Sequence, residues 1–153
     1  MANAAGPSGG CGLGENAELI IRNDLSDLNQ VADWLDRFSE EHGLPSPCTC
    51  ALQVALDEVV TNIMRHSGPD PKPLVIRMAV EKEARELAVE VIDDGPPFDP
   101  RQAPEPDLTS SLEERKIGGL GCMLVRKLMD RIDYFRNGGL NHLVLHKRFP
   151  PAA

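Results

Sequence analysis

The chain has 153 residues, of which 41% are hydrophobic and 26% are charged. This composition is typical of one soluble globular domain with a sizeable core, and it excludes collagen-like, coiled-coil and wholly disordered chains. The formal net charge of −8 argues against a protein that coats nucleic acid or anionic lipid, although a local anion site remains compatible with it. No apolar run approaches the roughly 18 residues that a membrane helix needs.

The N-terminal segment 1–14 is rich in Gly, Ala and Ser, and we expect a disordered tail before a single domain at 15–150. This segment lacks the basic and apolar regions of a secretory signal, so we expect a cytoplasmic protein. The glycines around Cys11 look like a phosphate loop, but no strand precedes them. The four cysteines do not have the spacing of a metal site, so we expect reduced thiols and no structural metal.

The first half of the chain has the pattern of one strand followed by two helices. Gly43 is typical of the residue that follows a helix, and Pro47 is typical of a first helical position. The predicted elements are a strand at 18–22, a helix capped by Asp24 or Ser26 that ends at about His42, and a helix capped by Ser46 that ends at about His66.

The second half predicts four strands and one helix. A long polar segment, 99–117, interrupts it, and segments of this length are usually functional lids or disordered. The sequence Asn137-Gly138-Gly139 is a strong signal for a hairpin. The predicted elements are strands at 73–83 and 86–93 with a tight turn near Arg85, a helix from about Gly118 to Asp130, and strands at 132–136 and 141–149.

The resulting order is β-α-α-β-β-loop-α-β-β. Strands that follow one another as hairpins favour antiparallel pairing, and the three helices can all lie on one face. We therefore predict an α+β two-layer sandwich with a mostly antiparallel, mixed sheet.

Two polar residues of the second helix are candidates for chemistry. Glu58 and Asn62 are four positions apart, so they share one helical face at the edge of the apolar stripe. An Asn side-chain oxygen suits Mg²⁺ that takes its other ligands from phosphates and water. A carboxylate one turn away can accept a proton from a hydroxyl. In isolation, the pair is better explained as part of a solvated helix face.

Two further signals come from turns. In Asp93-Asp94-Gly95, at a strand end, a carboxylate can accept a hydrogen bond from an exocyclic amine, and Gly95 lets a ligand ring approach the backbone. In Gly118-Gly119-Leu120-Gly121, glycines before a helix leave backbone N–H groups free to face an anion. Alone, the first is also an ordinary Asp-Gly turn and the second a flexible hinge.

The order of these signals resembles the N, G1 and G2 boxes of the GHKL ATPase superfamily. The segments VALDEVVTNIMRHS, VIDDGPPFDP and ERKIGGLGCMLVRKLMD, with the terminal DYFRNGGLNHLVLHKRF, resemble more closely its branch of anti-sigma-factor serine/threonine-protein kinases of the RsbW and SpoIIAB type. The resemblance covers about residues 15–149. It implies a histidine-kinase-like ATPase domain with the Bergerat ATP-binding fold.

By this resemblance, Asn62 ligates Mg²⁺ on the phosphates of ATP, and Glu58 is the catalytic base. Asp93 binds the adenine amine and Gly95 lines the base pocket. Gly119 and Gly121 lie against the phosphates.

The resemblance also makes the 99–117 segment an ATP lid, where Arg115 and Lys116 can pair with phosphate oxygens. His66 matches a His that often follows the Asn, and it is equally explained as a cap of the helix end. Pro97 departs from the pattern, because many family members carry a second glycine there. Its ring removes an N–H and stiffens the turn, which puts the nucleotide geometry near the turn in question.

The function that the resemblance implies is transfer of phosphate from ATP to a serine or threonine of a STAS-domain anti-sigma-factor antagonist. In an alternative partner state the chain holds a sigma factor inactive, and a homodimer is suggested. Two other functions stay open. One is a nucleotide-gated binding module without phosphotransfer, and the other is an interaction protein with a degenerate site.

Overall fold

A computed structural model describes residues 15–102 and 119–151. Over these ranges the chain forms strands and α-helices in the order that the sequence predicts. They are β1 (Glu15–Ile21), α1 (Leu28–His42), α2 (Ser46–Arg65), β2 (Leu74–Glu81), β3 (Glu86–Asp93), α3 (Gly119–Leu128), β4 (Arg131–Asn137) and β5 (Leu140–Arg148). The expected tail at 1–14 and residues 103–117 of the expected lid lie outside the described residues.

The strands form one sheet in the order β1-β2-β3-β5-β4. Each of its four pairings is antiparallel. The α+β class with helices on one face is confirmed, but the described strands include no parallel pair, so the sheet is not mixed. The reason lies in the last hairpin. β3 and β4 run in the same direction and are connected through α3, but β5 lies between them and pairs antiparallel with both.

The hairpin between β4 and β5 has the turn that its glycines predict. Gly138 and Gly139 form a two-residue loop with φ values of 59° and 78°. Two consecutive positive φ values give the type I′ turn, whose twist matches that of the flanking strands. This turn fixes the register of β5 against β4, and β5 in turn pairs with β3.

The helix ends differ from the sequence prediction in two details. Asp24 caps a short 3-10 turn before α1, because its Oδ1 accepts a 3.0 Å hydrogen bond from the Ser26 N–H. The N-cap of α1 itself is Asp27, whose side chain makes no capping hydrogen bond, so the prediction that Asp24 or Ser26 caps this helix is wrong. Gly43 ends α1 at a φ of 61°. The prediction that Ser46 caps α2 is wrong by one residue. Pro45 holds the N-cap position, where the fixed φ of proline suits the extended conformation that a cap needs.

The core lies between the helices and one face of the sheet. In β2, residues facing the helices are buried, and those facing the other way are exposed or half-buried. Burying one such aliphatic side chain stabilises the fold by about 1.5–3 kcal/mol. The largest fully buried side chains are Leu35, Leu52, Leu56, Leu74, Ile76, Met78, Leu87 and Leu145. None of the described helices is long and apolar enough to cross a bilayer.

Candidate functional site

A cavity of about 290 Å³ lies at the end of the core where α2, α3 and the ends of β3 and β5 meet. Segments far apart in sequence form its walls. The residues with candidate chemical roles that line it are Glu58, Asn62, Arg65, His66, Asp93, Gly95, Gly121, Cys122, Tyr134 and Asn141. The structure therefore brings together the polar face of α2, the turn after β3 and the first turn of α3.

The α2 wall follows from helical spacing. Glu58 and Asn62 are half-buried and line the cavity, whereas the neighbouring Val59 and Val60 are buried in the core. His66 lies one further turn along the same face, at the C-terminal cap of the helix. This face therefore presents a carboxylate, an amide and an imidazole in sequence along one side of the cavity.

The first turn of α3 is packed directly against Glu58. A Cβ added at Gly121 would collide with the Glu58 Oε2 atom and would lie 3.3 Å from its Cδ atom. A residue with a Cβ at this position would therefore require the Glu58 carboxylate to move away from the first turn of α3. Gly119 is the first residue of α3. Arg115 and Lys116 lie outside the described residues, so the structure does not test their assignment.

The turn after β3 is built around a buried carboxylate. Asp93 is 8% exposed, and its Oδ2 accepts hydrogen bonds from the Gly95 N–H at 2.9 Å and the Asn141 Nδ2 at 3.3 Å. Among the residues that the structure describes, none donates to Oδ1. Burial raises the pKa of Asp93, and the two donors oppose that rise. A buried carboxylate with a free oxygen in a cavity is suited to accept a hydrogen bond from a ligand.

Gly95 is required by this turn for a steric reason. A Cβ at position 95 would lie 2.8 Å from the Asp93 Oδ2 atom, which is closer than real Cβ contacts. Pro97 lines the cavity together with Pro96 and Phe98. The proline that departs from the expected glycine pattern is therefore part of the wall of the site.

Sequence reasoning missed two polar residues of the last hairpin. Tyr134 on β4 and Asn141 on β5 both line the cavity, and Asn141 is only 5% exposed. Asn141 is the register partner of Asp93. The signal that could have found it is an amide at a strand position whose alternation with Leu143 and Leu145 predicts a core-facing side chain.

Metal ligation at this site is limited to few protein atoms. Among residues 15–102 and 119–151, no group of three His, Cys, Asp or Glu side chains is placed to hold a metal ion. Cys48, Cys50 and Cys122 are free thiols, and burial raises the pKa of Cys122 at the cavity wall. The Asn62 oxygen fits a cation that takes most of its ligands from phosphate and water, as Mg²⁺ does.

Comparison with known proteins assigns the family. Residues 21–147 match the family described as histidine kinase-like ATPase domain. The chain is 30% identical over 118 residues to the serine/threonine-protein kinase BtrW of Bordetella bronchiseptica, covering 77% of this chain and 83% of that protein. It is 29% identical over 96 residues to the serine-protein kinase RsbW of Listeria monocytogenes, covering 59% of this chain and 60% of that protein.

A solved structure supports the same fold. The crystal structure of the RsbU and RsbW domains of Rv1364c from Mycobacterium tuberculosis matches 90% of this chain and 34% of that chain, with a TM-score of 0.65 and 16% identity. At that identity the likeness concerns the fold alone. Together with the sequence matches, it confirms the resemblance drawn from the motifs. The chain belongs to the histidine kinase-like ATPase family, in the branch of the RsbW and BtrW serine-protein kinases.

Proposed function

We propose that the chain is an ATP-dependent protein serine/threonine kinase of the anti-sigma-factor type, with a STAS-domain antagonist as its substrate. The observation that carries the proposal is the single cavity of about 290 Å³ that joins Glu58 and Asn62, the Asp93 turn and Gly121. Relatives named serine or serine/threonine-protein kinases, at 29–30% identity, support the reaction class.

The base of ATP would lie against the turn after β3. Asp93 offers one carboxylate oxygen without a donor among the described residues, and the adenine amine is a donor of matching polarity. Apolar side chains of Val125 and Leu143, which line the same cavity, suit the faces of a purine ring.

The phosphates would lie between α2 and the first turn of α3. Backbone N–H groups at the start of a helix favour an anion, and Gly119 and Gly121 lie in the first turn of α3. Asn62 would hold Mg²⁺ through its side-chain oxygen. Magnesium bound with ATP neutralises charge on the transferred phosphoryl group.

Glu58 would act as the base in the transfer step. A serine or threonine hydroxyl of the partner attacks the γ-phosphorus, and its proton moves to the Glu58 carboxylate. The new oxygen–phosphorus bond forms as the bond to the bridging oxygen breaks, and ADP leaves. The packing of Glu58 against Gly121 holds this carboxylate beside the turn where the phosphates would lie.

Partner binding would use the outer faces of the helices that flank the cavity. Val54 on α2 and Leu124 on α3 are exposed apolar side chains, at 43% and 38% exposure, and Phe98 at the cavity wall is 45% exposed. We infer that a STAS-domain protein and a sigma factor compete for this region. A cytoplasmic location and a homodimer belong to the same proposal.

Ligand binding is tested by thermal unfolding with ATP or ADP, in Mg²⁺ or in EDTA. A ligand at about 100 times its dissociation constant adds roughly 2.7 kcal/mol to stability, which raises the midpoint by roughly 5–11 °C for a domain of this size. Asn62→Ala should remove the Mg²⁺-dependent part of the rise. Asn29→Ala, an exposed residue of α1, is the matched control. Absence of any rise in the unaltered protein would reject the nucleotide site.

Phosphotransfer is tested with γ-labelled ATP and the STAS-domain proteins of the same organism. Glu58→Gln should lower the transfer rate by about 10²–10⁴-fold while ATP binding is kept, because the amide cannot accept the proton. Asp57→Asn changes the charge of the adjacent, exposed residue and should leave the rate unchanged. ATP binding without labelling of any STAS-domain protein would favour the nucleotide-gated binding module.

A further inference from the structure

Asn141 is the centre of a polar network that holds the turn after β3. The two N–H groups of its Nδ2 are shared among three acceptors, the Asp93 Oδ2 at 3.3 Å, the Gly95 carbonyl at 3.1 Å and the Pro96 carbonyl at 3.0 Å. The Asn141 side chain therefore connects β5 to the carboxylate and to the two following carbonyl groups.

The orientation of this amide is fixed from its other side. The Asn141 Oδ1 accepts a 2.6 Å hydrogen bond from the Tyr134 hydroxyl and a 2.9 Å hydrogen bond from the Arg136 Nη1. The same Arg136 nitrogen also donates to the Gly95 carbonyl at 3.1 Å. Because all donors meet Oδ1 and all acceptors meet Nδ2, only one of the two amide orientations satisfies the network.

The sequence of the turn explains why these donors come from another element. Pro96 and Pro97 follow Gly95 and have no backbone N–H, so they cannot close the turn with their own hydrogen bonds. The amide of Asn141 and the guanidinium of Arg136 supply the missing donors from the β4–β5 hairpin. These hydrogen bonds tie the carbonyl groups of the half-buried Gly95 and the exposed Pro96 to the hairpin.

We propose that Asn141 is the positioning residue that orients Asp93 towards the 6-amino group of the purine, with Arg136 holding the Asn141 amide in register. The inference rests on the proposed function, because it requires that the cavity bind ATP. Under this proposal, selectivity for adenine depends on the β4–β5 hairpin as well as on the turn after β3. With Oδ2 engaged by Gly95 and Asn141, the oxygen that remains for the ligand is Oδ1.

The first test is Asn141→Asp, read as the dissociation constants of ATP and of inosine triphosphate, which carries a 6-oxo group. The variant is nearly isosteric, but it places a carboxylate against Asp93 and two carbonyl groups. We expect affinity for ATP to fall about tenfold or more, and affinity for inosine triphosphate to change by less than about threefold. Asn137→Asp makes the same change at an exposed site of the hairpin and should alter neither constant.

The second test uses Arg136→Gln, in case Asn141→Asp does not fold. Arg136 is exposed and is not among the residues that line the cavity, so an effect on base preference acts through its hydrogen bonds to Asn141 and Gly95 or through its positive charge, which opposes the rise in the pKa of Asp93. We expect the preference for ATP over inosine triphosphate to fall about threefold or more. Arg131→Gln on the same strand is the control and should leave the preference unchanged.

The outcomes separate the two proposals. If the unaltered protein binds neither nucleotide, the proposed function fails. If it prefers ATP and keeps that preference in both Asn141→Asp and Arg136→Gln, the proposed function stands and the role of Asn141 is rejected. An equal loss of affinity for both nucleotides would also reject the positioning role, because it would indicate a general distortion of the cavity.

Discussion

Strands β3 and β5 carry two polar clusters, one on each face of the sheet. The inner cluster joins Asp93 to its register partner Asn141 on the helix side. The outer cluster surrounds His146, whose Nδ1 lies 3.0 Å from Glu86 and whose Nε2 lies 2.9 Å from Asp133. Both clusters therefore involve β3 and β5, with Asp133 of β4 added to the outer one, and they differ in what surrounds them.

In the outer cluster, the polar side chains are paired with one another. Both ring nitrogens of His146 face carboxylate oxygens, and Asp133 is also paired with Arg131 at 3.2 Å. The inner cluster is more deeply buried, yet Asp93 keeps one oxygen without a donor from any residue in the described ranges. Burial raises the pKa of Asp93, so its ionised form is disfavoured in the free protein, and a hydrogen bond from a ligand to this oxygen would offset part of that cost. This difference fits the proposed function, in which the inner cluster binds a ligand and the outer cluster stabilises the sheet.

Among the variants that test this difference, Asp93→Asn should have the largest effect. The amide keeps the shape of the side chain but removes the charge and places a donor opposite the purine amine. Because a hydrogen bond to a charged group contributes about 1.5–3 kcal/mol, affinity for ATP should fall about 10–150-fold. Stability of the free protein should rise, because burial raises the pKa of Asp93 and so penalises its ionised form. Titration calorimetry and thermal unfolding measure the two effects.

The matched control for this prediction is Asp133→Asn in the outer cluster. It makes the same change on a half-buried residue that is not among those lining the cavity. Affinity for ATP should stay within about twofold, and stability should not rise, since Asp133 loses favourable contacts with His146 and Arg131. An Asp93→Asn protein that binds ATP normally would contradict the assignment of the base pocket.

A second prediction concerns the backbone of the inner cluster. Gly95→Ala places a Cβ 2.8 Å from the Asp93 Oδ2 atom, so the carboxylate or the turn must shift. We expect affinity for ATP to fall by about tenfold, because the displaced carboxylate would lose its hydrogen bond to the base. The strained contact should also lower the stability of the free protein by about 1–3 kcal/mol. Gly68→Ala, where a Cβ meets nothing within 4 Å, is the control. Equal behaviour of the two variants would argue against a steric requirement at Gly95.

The fold could be predicted almost completely from the sequence. Most of its signals are local, and each gives the element expected at its position. They are the apolar alternation of β2 and β5, the Gly138-Gly139 turn and the helix end at Gly43. The pairing of β5 between β3 and β4 is not local, because it depends on where α3 returns the chain. For this reason the prediction was a mixed sheet, whereas every strand pairing in the structure is antiparallel.

The site was predicted less completely for a related reason. Glu58 and Asn62 share a helix face, and Asp93 and Gly95 share a turn, so each pair forms a local motif, and the order of these motifs along the chain, by its resemblance to the family, selected them. Asn141 meets Asp93 through the pairing of β5 with β3. The two residues are 48 positions apart in sequence, so no local pattern encodes their contact. A buried Asn in an otherwise apolar strand face was the available signal, and its partner could be named only from the structure.

The outer cluster should respond in stability alone. His146→Ala removes the contacts with Glu86 and Asp133 and leaves two carboxylates beside Arg131 and Arg148. We expect the free energy of unfolding to fall by about 1 kcal/mol, as for a partly exposed ion-pair cluster, with no change in affinity for ATP. Urea unfolding and calorimetry on the same preparation measure both. A loss of ATP affinity in this variant would mean that the two faces of the sheet are coupled.

The smallest expected effect is a pH dependence that belongs to the inner cluster. Burial raises the pKa of Asp93 above its unfolded value, with Asp94 adding to the rise and the Gly95 N–H, Asn141 and Arg136 opposing it. Between the unfolded and folded pKa values the native state binds more protons than the unfolded state, so this carboxylate lowers stability as pH rises.

The excess stability of Asp93→Asn over the unaltered protein should therefore be largest at neutral pH and should shrink on acidification through the folded pKa. Because the other carboxylates are common to both proteins, they cancel in this difference. An excess that stays constant from neutral to mildly acidic pH would mean that Asp93 is not penalised by its burial, and the contrast between the two clusters would then lose its energetic basis.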